Sequence, residues 1–135
     1  MKFEDVWIGE ELPAAVHRPT TMDLVKYAAA TGDYYQAHYD KDIAVEMGLP
    51  GVIVQGGLVL SYLEKMVIEW MGNDGKLEEL GGSYRGIMPV NEEIFCHGKV
   101  GEKKEEEKEI IVELWAEDAT GEKKVRGKAV IRAVI

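Results

Sequence analysis

Tyr27–Leu60 reads YAAATGDYYQAHYDKDIAVEMGLPGVIVQGGLVL, and the rest of the chain is organised around it. Just upstream, Leu24, Tyr27, Ala28 and Thr31 recur at i, i+3, i+4 and i+7, which predicts a helix over Thr20–Thr31 with one apolar face. Thr20-x-x-Asp23 suits the start of that helix, because a hydroxyl and a carboxylate can accept from unpaired backbone N–H groups. Gly32 suits the left-handed position after the last turn, so Asp33 falls just outside the helix rather than on its surface. Asp33–Tyr39 then reads as a loop that carries His38. Asp40 caps a short helix through Met47; Gly48 ends it, and Pro50 prevents its continuation. Gln55-Gly56-Gly57 opens the most apolar helix of the chain, running to about Met71. Apolar residues cover nearly all of its circumference, interrupted by Glu64, Lys65 and Glu69, and a helix of that kind is usually buried.

Outward from this stretch the character changes. Before it, Phe3, Val6, Trp7 and Ile8 read as an apolar flap, and Glu11–Arg18 as a first strand ended by Pro19. After the turn Gly72-Asn73-Asp74-Gly75, residues 76–88, 91–101, 108–117 and 122–135 read as four strands. Ile110, Val112, Leu114 and Ala116 alternate with Ile111, Glu113, Trp115 and Glu117, which predicts one buried face. Asp118-Ala119-Thr120-Gly121 predicts a hairpin turn, and Glu102–Glu109 a solvated turn between strands. The expected fold is therefore α+β: about five mostly antiparallel strands curled around one long buried helix, in a single domain over 1–135. The edges of such a sheet need cover, and dimerisation by edge pairing supplies it.

Composition narrows the function. The chain has 135 residues, 46% hydrophobic and 30% charged, as in an ordinary globular domain. Its formal charge of −9 argues against nucleic acid or an anionic membrane as a general partner. One cysteine, Cys96, excludes an intrachain disulfide, and three scattered histidines without a CxxC argue against a metal site. The first residues hold no apolar signal core and no stretch is long enough to span a bilayer, so a cytoplasmic protein is expected.

Asp33, His38 and the helix opening at Gly56 are the parts of an acid–base site with an oxyanion hole. The pattern Tyr27-Ala28-x-x-Thr31-Gly32-Asp33-x-x-x-x-His38-x-Asp40, followed by Ile53-Val54-Gln55-Gly56-Gly57-Leu58, resembles the MaoC-like family of (R)-specific enoyl-CoA hydratases and related acyl dehydratases. Tyr84–Val90 and Cys96-x-Gly98-Lys99-Val100 are similar to that family's strand pair after the long helix. The resemblance implies the hot-dog fold, with Asp33 and His38 as the catalytic pair and the Gly56 N–H as oxyanion donor. It implies no metal or cofactor, an acyl-CoA or acyl-carrier-protein thioester as substrate, and a homodimer or dimer of dimers.

Around that core, Tyr34, Tyr35, Gln55 and Gly57 are the candidate substrate-binding residues. Tyr35-Gln36 stands where the family usually has Asn-Pro, and Gln55 where it often has His. These departures motivate a second expectation: a subunit that works beside a second hot-dog chain, or an acyl-CoA-binding protein. A third is a thioesterase, which in hot-dog proteins uses an acid on the long helix, here Glu64.

Overall fold

The computed structural model describes residues 1–134. Its elements are β1 (Ala15–His17), α1 (Thr21–Thr31), α2 (Lys41–Glu46), α3 (Gly56–Met71), β2 (Gly75–Tyr84), β3 (Ile94–Lys104), β4 (Glu109–Glu117) and β5 (Lys123–Ala133). The strands form one sheet in the order β1-β3-β4-β5-β2, with every neighbouring pair antiparallel. This is the expected α+β hot-dog architecture.

The inner face of the sheet follows from alternation. Val100, Ile110, Val112, Leu114, Ala129 and Ile131 are buried, and α3 lies against them with Val59, Leu63, Met66 and Val67. Each of these valine, leucine, isoleucine and methionine side chains contributes roughly 1.5–3 kcal/mol by leaving water. The helix can approach this closely because Gly98 has no side chain: a Cβ there would stand 3.1 Å from Leu12 and Met66. Only half of the apolar flap before β1 is buried. Phe3 and Val6 are buried, whereas Trp7 and Ile8 lie outside. It is pinned by Lys103, whose ammonium donates to Phe3 O at 2.7 Å and Val6 O at 2.6 Å and stands 4.3 Å from the Phe3 ring centre.

Several strand boundaries differ from expectation, and pairing explains each. The first strand shortens to Ala15–His17, with an isolated bridge between Glu11 and Lys99. The third moves to Ile94–Lys104 because Lys104 still pairs with Glu109, so the acidic run 102–109 is strand as far as Lys104 and turn only after it. The second ends at Tyr84; after Arg85 N donates to Lys124 O at 2.6 Å the chain leaves the sheet and bridges Pro89 to Ile53. The last expected strand ran to Ile135, which lies outside the described residues. Among the described residues, no helix is long and apolar enough to cross a membrane.

Candidate active site

Local chemistry sets the acid. Thr20 and Asp23 form a reciprocal cap on α1: Asp23 N donates to Thr20 Oγ1 at 3.3 Å, and Thr20 N to Asp23 Oδ2 at 2.8 Å. At the other end Gly32 adopts φ +75 and donates to Ala28 O at 2.8 Å, which turns the chain sharply out of the helix. Asp33 follows, and its Oδ1 accepts from Tyr35 N at 3.4 Å. The carboxylate is therefore presented from a turn, about half exposed.

His38 sits in a 3-10 turn, Gln36–His38, within the expected loop, and is buried. Its Nδ1–H donates to Ile53 O at 2.8 Å, because a carbonyl can only accept. That bond fixes the tautomer, and Nε2 faces Asp33 Oδ2 at 4.0 Å. The separation is too long for a direct hydrogen bond, and one water at about 2.8 Å from each atom fits between them. The Tyr35 ring meets the imidazole edge-on, with centroids 5.5 Å apart.

Residues 53–56 form a bracket. Ile53 N donates to Ala37 O at 3.0 Å while Ile53 O holds His38, and Val54 N donates to Met88 O at 2.8 Å. Gln55 O accepts from Leu58 N and Val59 N at the start of α3. The amides of Gly56 and Gly57 have no acceptor among the described residues, so they form a positive helix end open to a ligand oxygen. Asp33, His38, Gly56 and Gly57 line one cavity of about 330 Å³, whose walls include Val59, Tyr84, Met88 and Val125.

The remaining expected residues fall elsewhere. Tyr34 is exposed on a separate apolar shelf with Val25, Ala28, Ala29 and Tyr39. Tyr35 does not line the cavity; it packs on His38 and directs its hydroxyl to Met47 Sδ at 3.9 Å. Gln55 is buried behind the helix end, its Nε2 donating to Leu24 O at 2.8 Å and its Oε1 without a partner. Glu64, on α3, is not among the lining residues. Tyr84 and Val125, to which the sequence alone gave no role, are direct partners in the β2–β5 ladder and bring that ladder to the cavity wall. The consecutive glycines held a signal for such neighbours: a Cβ on Gly56 would lie 2.6 Å from Tyr84 Cε1. A larger open trough, about 750 Å³, runs along Leu80–Ser83 at the β2 edge and holds no comparable acid–base pair.

The MaoC like domain family matches residues 6–122. The chain is similar in structure to an (R)-hydratase from A. caviae involved in PHA biosynthesis, with TM-score 0.91, 18% identity, and coverage of 96% of this chain and 98% of that one. It is similar to R-hydratase PhaJ1 from Pseudomonas aeruginosa, with TM-score 0.90, 17% identity, and coverage of 98% and 84%. It also resembles a chain of the ChsH1-ChsH2 complex from Mycobacterium tuberculosis, with TM-score 0.86, 20% identity, and coverage of 95% and 98%. At these identities the likeness establishes the fold. No curated protein sequence matches the chain.

Proposed function

We propose a function for a chain that belongs to the MaoC-like domain family: it adds water across, or removes it from, the C2–C3 bond of an acyl thioester. The observation that carries this reading is the imidazole–carboxylate pair at 4.0 Å facing an unpartnered helix-end amide across one cavity. Family likeness to (R)-hydratases favours the (R) product and a CoA or acyl-carrier-protein thioester.

The chemistry follows from the atoms. With Nδ1–H committed to Ile53 O, neutral His38 offers only the Nε2 lone pair, and ionised Asp33 is likewise an acceptor. Two acceptors hold the two protons of one water and turn its oxygen lone pair toward C3. As the C–O bond forms, one water proton passes to the pair and is delivered to C2, while the π electrons move through C2 toward the thioester oxygen. The Gly56 N–H and the α3 dipole stabilise the charge on that oxygen. Dehydration runs through the same steps in reverse.

The assembly in this reading is a dimer. Strand β2 is the sheet edge opposite β1, and Leu80–Tyr84 is nearly all exposed with one side unpaired. A second copy, or a second hot-dog chain, would cover it. The test follows loss of the conjugated enoyl absorbance of crotonyl-CoA with wild type and Asp33→Asn. Consumption by wild type, reduced about 100-fold or more in the variant, is expected. Equal rates would overturn the assignment of Asp33, and no reaction with short, long or branched enoyl thioesters, alone or with a companion chain, would overturn the activity.

A further inference from the structure

Tyr27 stands on α1, six residues before Asp33, and is half-buried. Its hydroxyl occupies the place that a side chain on Gly57 would take: a Cβ there would collide with Tyr27 Oη and lie 3.2 Å from Cζ. The oxygen therefore rests against Gly57, the second residue of α3, whose amide is unpartnered; Gly57 is part of the cavity wall, and Tyr27 touches that wall without being one of the lining residues. No described residue accepts its proton. The hydroxyl is also not sealed in the protein, since the unpartnered side-chain polar atom that is fully buried is Gln55 Oε1.

Three groups converge on this corner: Tyr27, Tyr84 and Asp33. Burial first, and then the neighbouring Tyr84 and Asp33, push the Tyr27 hydroxyl above its usual range, so it keeps its proton throughout the neutral range. A protonated phenol without a protein acceptor, next to a helix end that attracts negative charge, is a hydrogen-bond donor in search of an oxygen.

We infer that Tyr27 is a further catalytic residue, whose hydroxyl donates to the thioester oxygen alongside the Gly56 N–H as the enolate forms. The inference rests on the proposed hydration. The phenol proton stays on Tyr27 throughout; it shares charge in the transition state and does not enter the proton balance between water and C2. The arrangement also accounts for Gly57, because any side chain at that position would push the hydroxyl away from the helix end.

Tyr27→Phe removes one oxygen and leaves the ring. The expected result is a fall in kcat of about tenfold or more, with KM changed by less than about threefold and the melting temperature retained. A second readout does not need turnover. The carbonyl stretch of bound butyryl-CoA carrying a labelled C=O, which cannot be hydrated, should shift to lower frequency on the wild type and move back toward the free value on Tyr27→Phe. Unchanged kcat, or a carbonyl band identical in the two proteins, overturns the donor role. Loss of kcat together with loss of stability and an unmoved band also overturns it, since that is packing alone. Failure of the wild type to hydrate any enoyl thioester would overturn the proposed activity while the band still judges Tyr27, and failure to bind any thioester would overturn both.

Discussion

Gly56→Ala separates folding from turnover. Gly56 opens α3 with a backbone conformation that alanine adopts without strain, since it is not among the positive-φ glycines. The added Cβ would lie 2.6, 2.8 and 2.9 Å from three atoms of the Tyr84 ring. To restore ordinary contact near 3.4 Å, that ring retreats by roughly 0.8 Å. It is 54% exposed and its hydroxyl has no hydrogen-bond partner among the described residues, so the retreat costs little. Alanine is also the better helix residue, and the two effects leave stability within about 1 kcal/mol of wild type. Turnover responds differently. In the proposed reaction the methyl group and the displaced ring both intrude where the thioester oxygen would meet the Gly56 N–H, and a misplacement on the order of 1 Å costs roughly 100-fold, about 2.7 kcal/mol of barrier. A thermal melt and the enoyl absorbance assay on the same preparation read the two quantities. A folded Gly56→Ala protein at the wild-type rate would refute the use of this amide. A protein that fails to fold would refute the argument that Tyr84 is free to move. Gly57→Ala gives the contrast: its Cβ meets the half-buried Tyr27 hydroxyl, which has less room, so roughly 1–3 kcal/mol of stability should go with the activity.

Other outcomes follow from single contacts. His38→Ala should lower kcat by about 100-fold or more, while the lost bond to Ile53 O costs about 1 kcal/mol in a denaturant melt; an unchanged kcat would remove His38 from the mechanism. Gln55→Met gives up the bond to Leu24 O but also removes an acceptor buried without a partner, so its melting temperature should match or exceed that of wild type; a fall of several kcal/mol would mean that Oε1 is satisfied by bound water. His17 stacks on Tyr62 with centroids 3.9 Å apart, and burial, then Lys65, lower its pKa below the usual 6.5. The unfolded chain therefore binds this proton more readily than the folded one, and His17 should draw down stability as pH falls below about 6.5 toward the folded value. His17→Gln should flatten that part of a pH–stability profile, and an unaltered profile would contradict the burial argument.

Much of the site could be read because its controls are local. The Thr20–Asp23 cap, the left-handed Gly32 and the Gln55-Gly56-Gly57 opening each act within a few residues, so both ends of α1 and the start of α3 were legible. Alternation gave the buried face of β4 for the same reason. Strand ends were not legible, because a partner decides them: Lys104 continues β3 on account of Glu109 across the ladder. The cavity wall escaped for a related reason. Tyr84 and Val125 are far apart in sequence and meet only through the β2–β5 register, while Tyr34, next to Asp33 in the chain, turns away onto another surface. Adjacency along the backbone fixes where a residue is and leaves open which way it points.

The bracket at residues 53–56 divides the labour of the domain. His38 hangs from Ile53 O, and the open amide of Gly56 comes three residues later, so the two instruments of the proposed chemistry share one short ruler. Val59, Met88 and Val125 shape the cavity through side chains that make none of the bracket's side-chain hydrogen bonds. The space available to the proposed acyl substrate can thus be recut by ordinary apolar substitutions while the spacing between imidazole and amide stays as it was. A library varied at those three positions would sample substrate range at nearly constant chemical competence, which makes this fold a forgiving starting point for redirecting specificity.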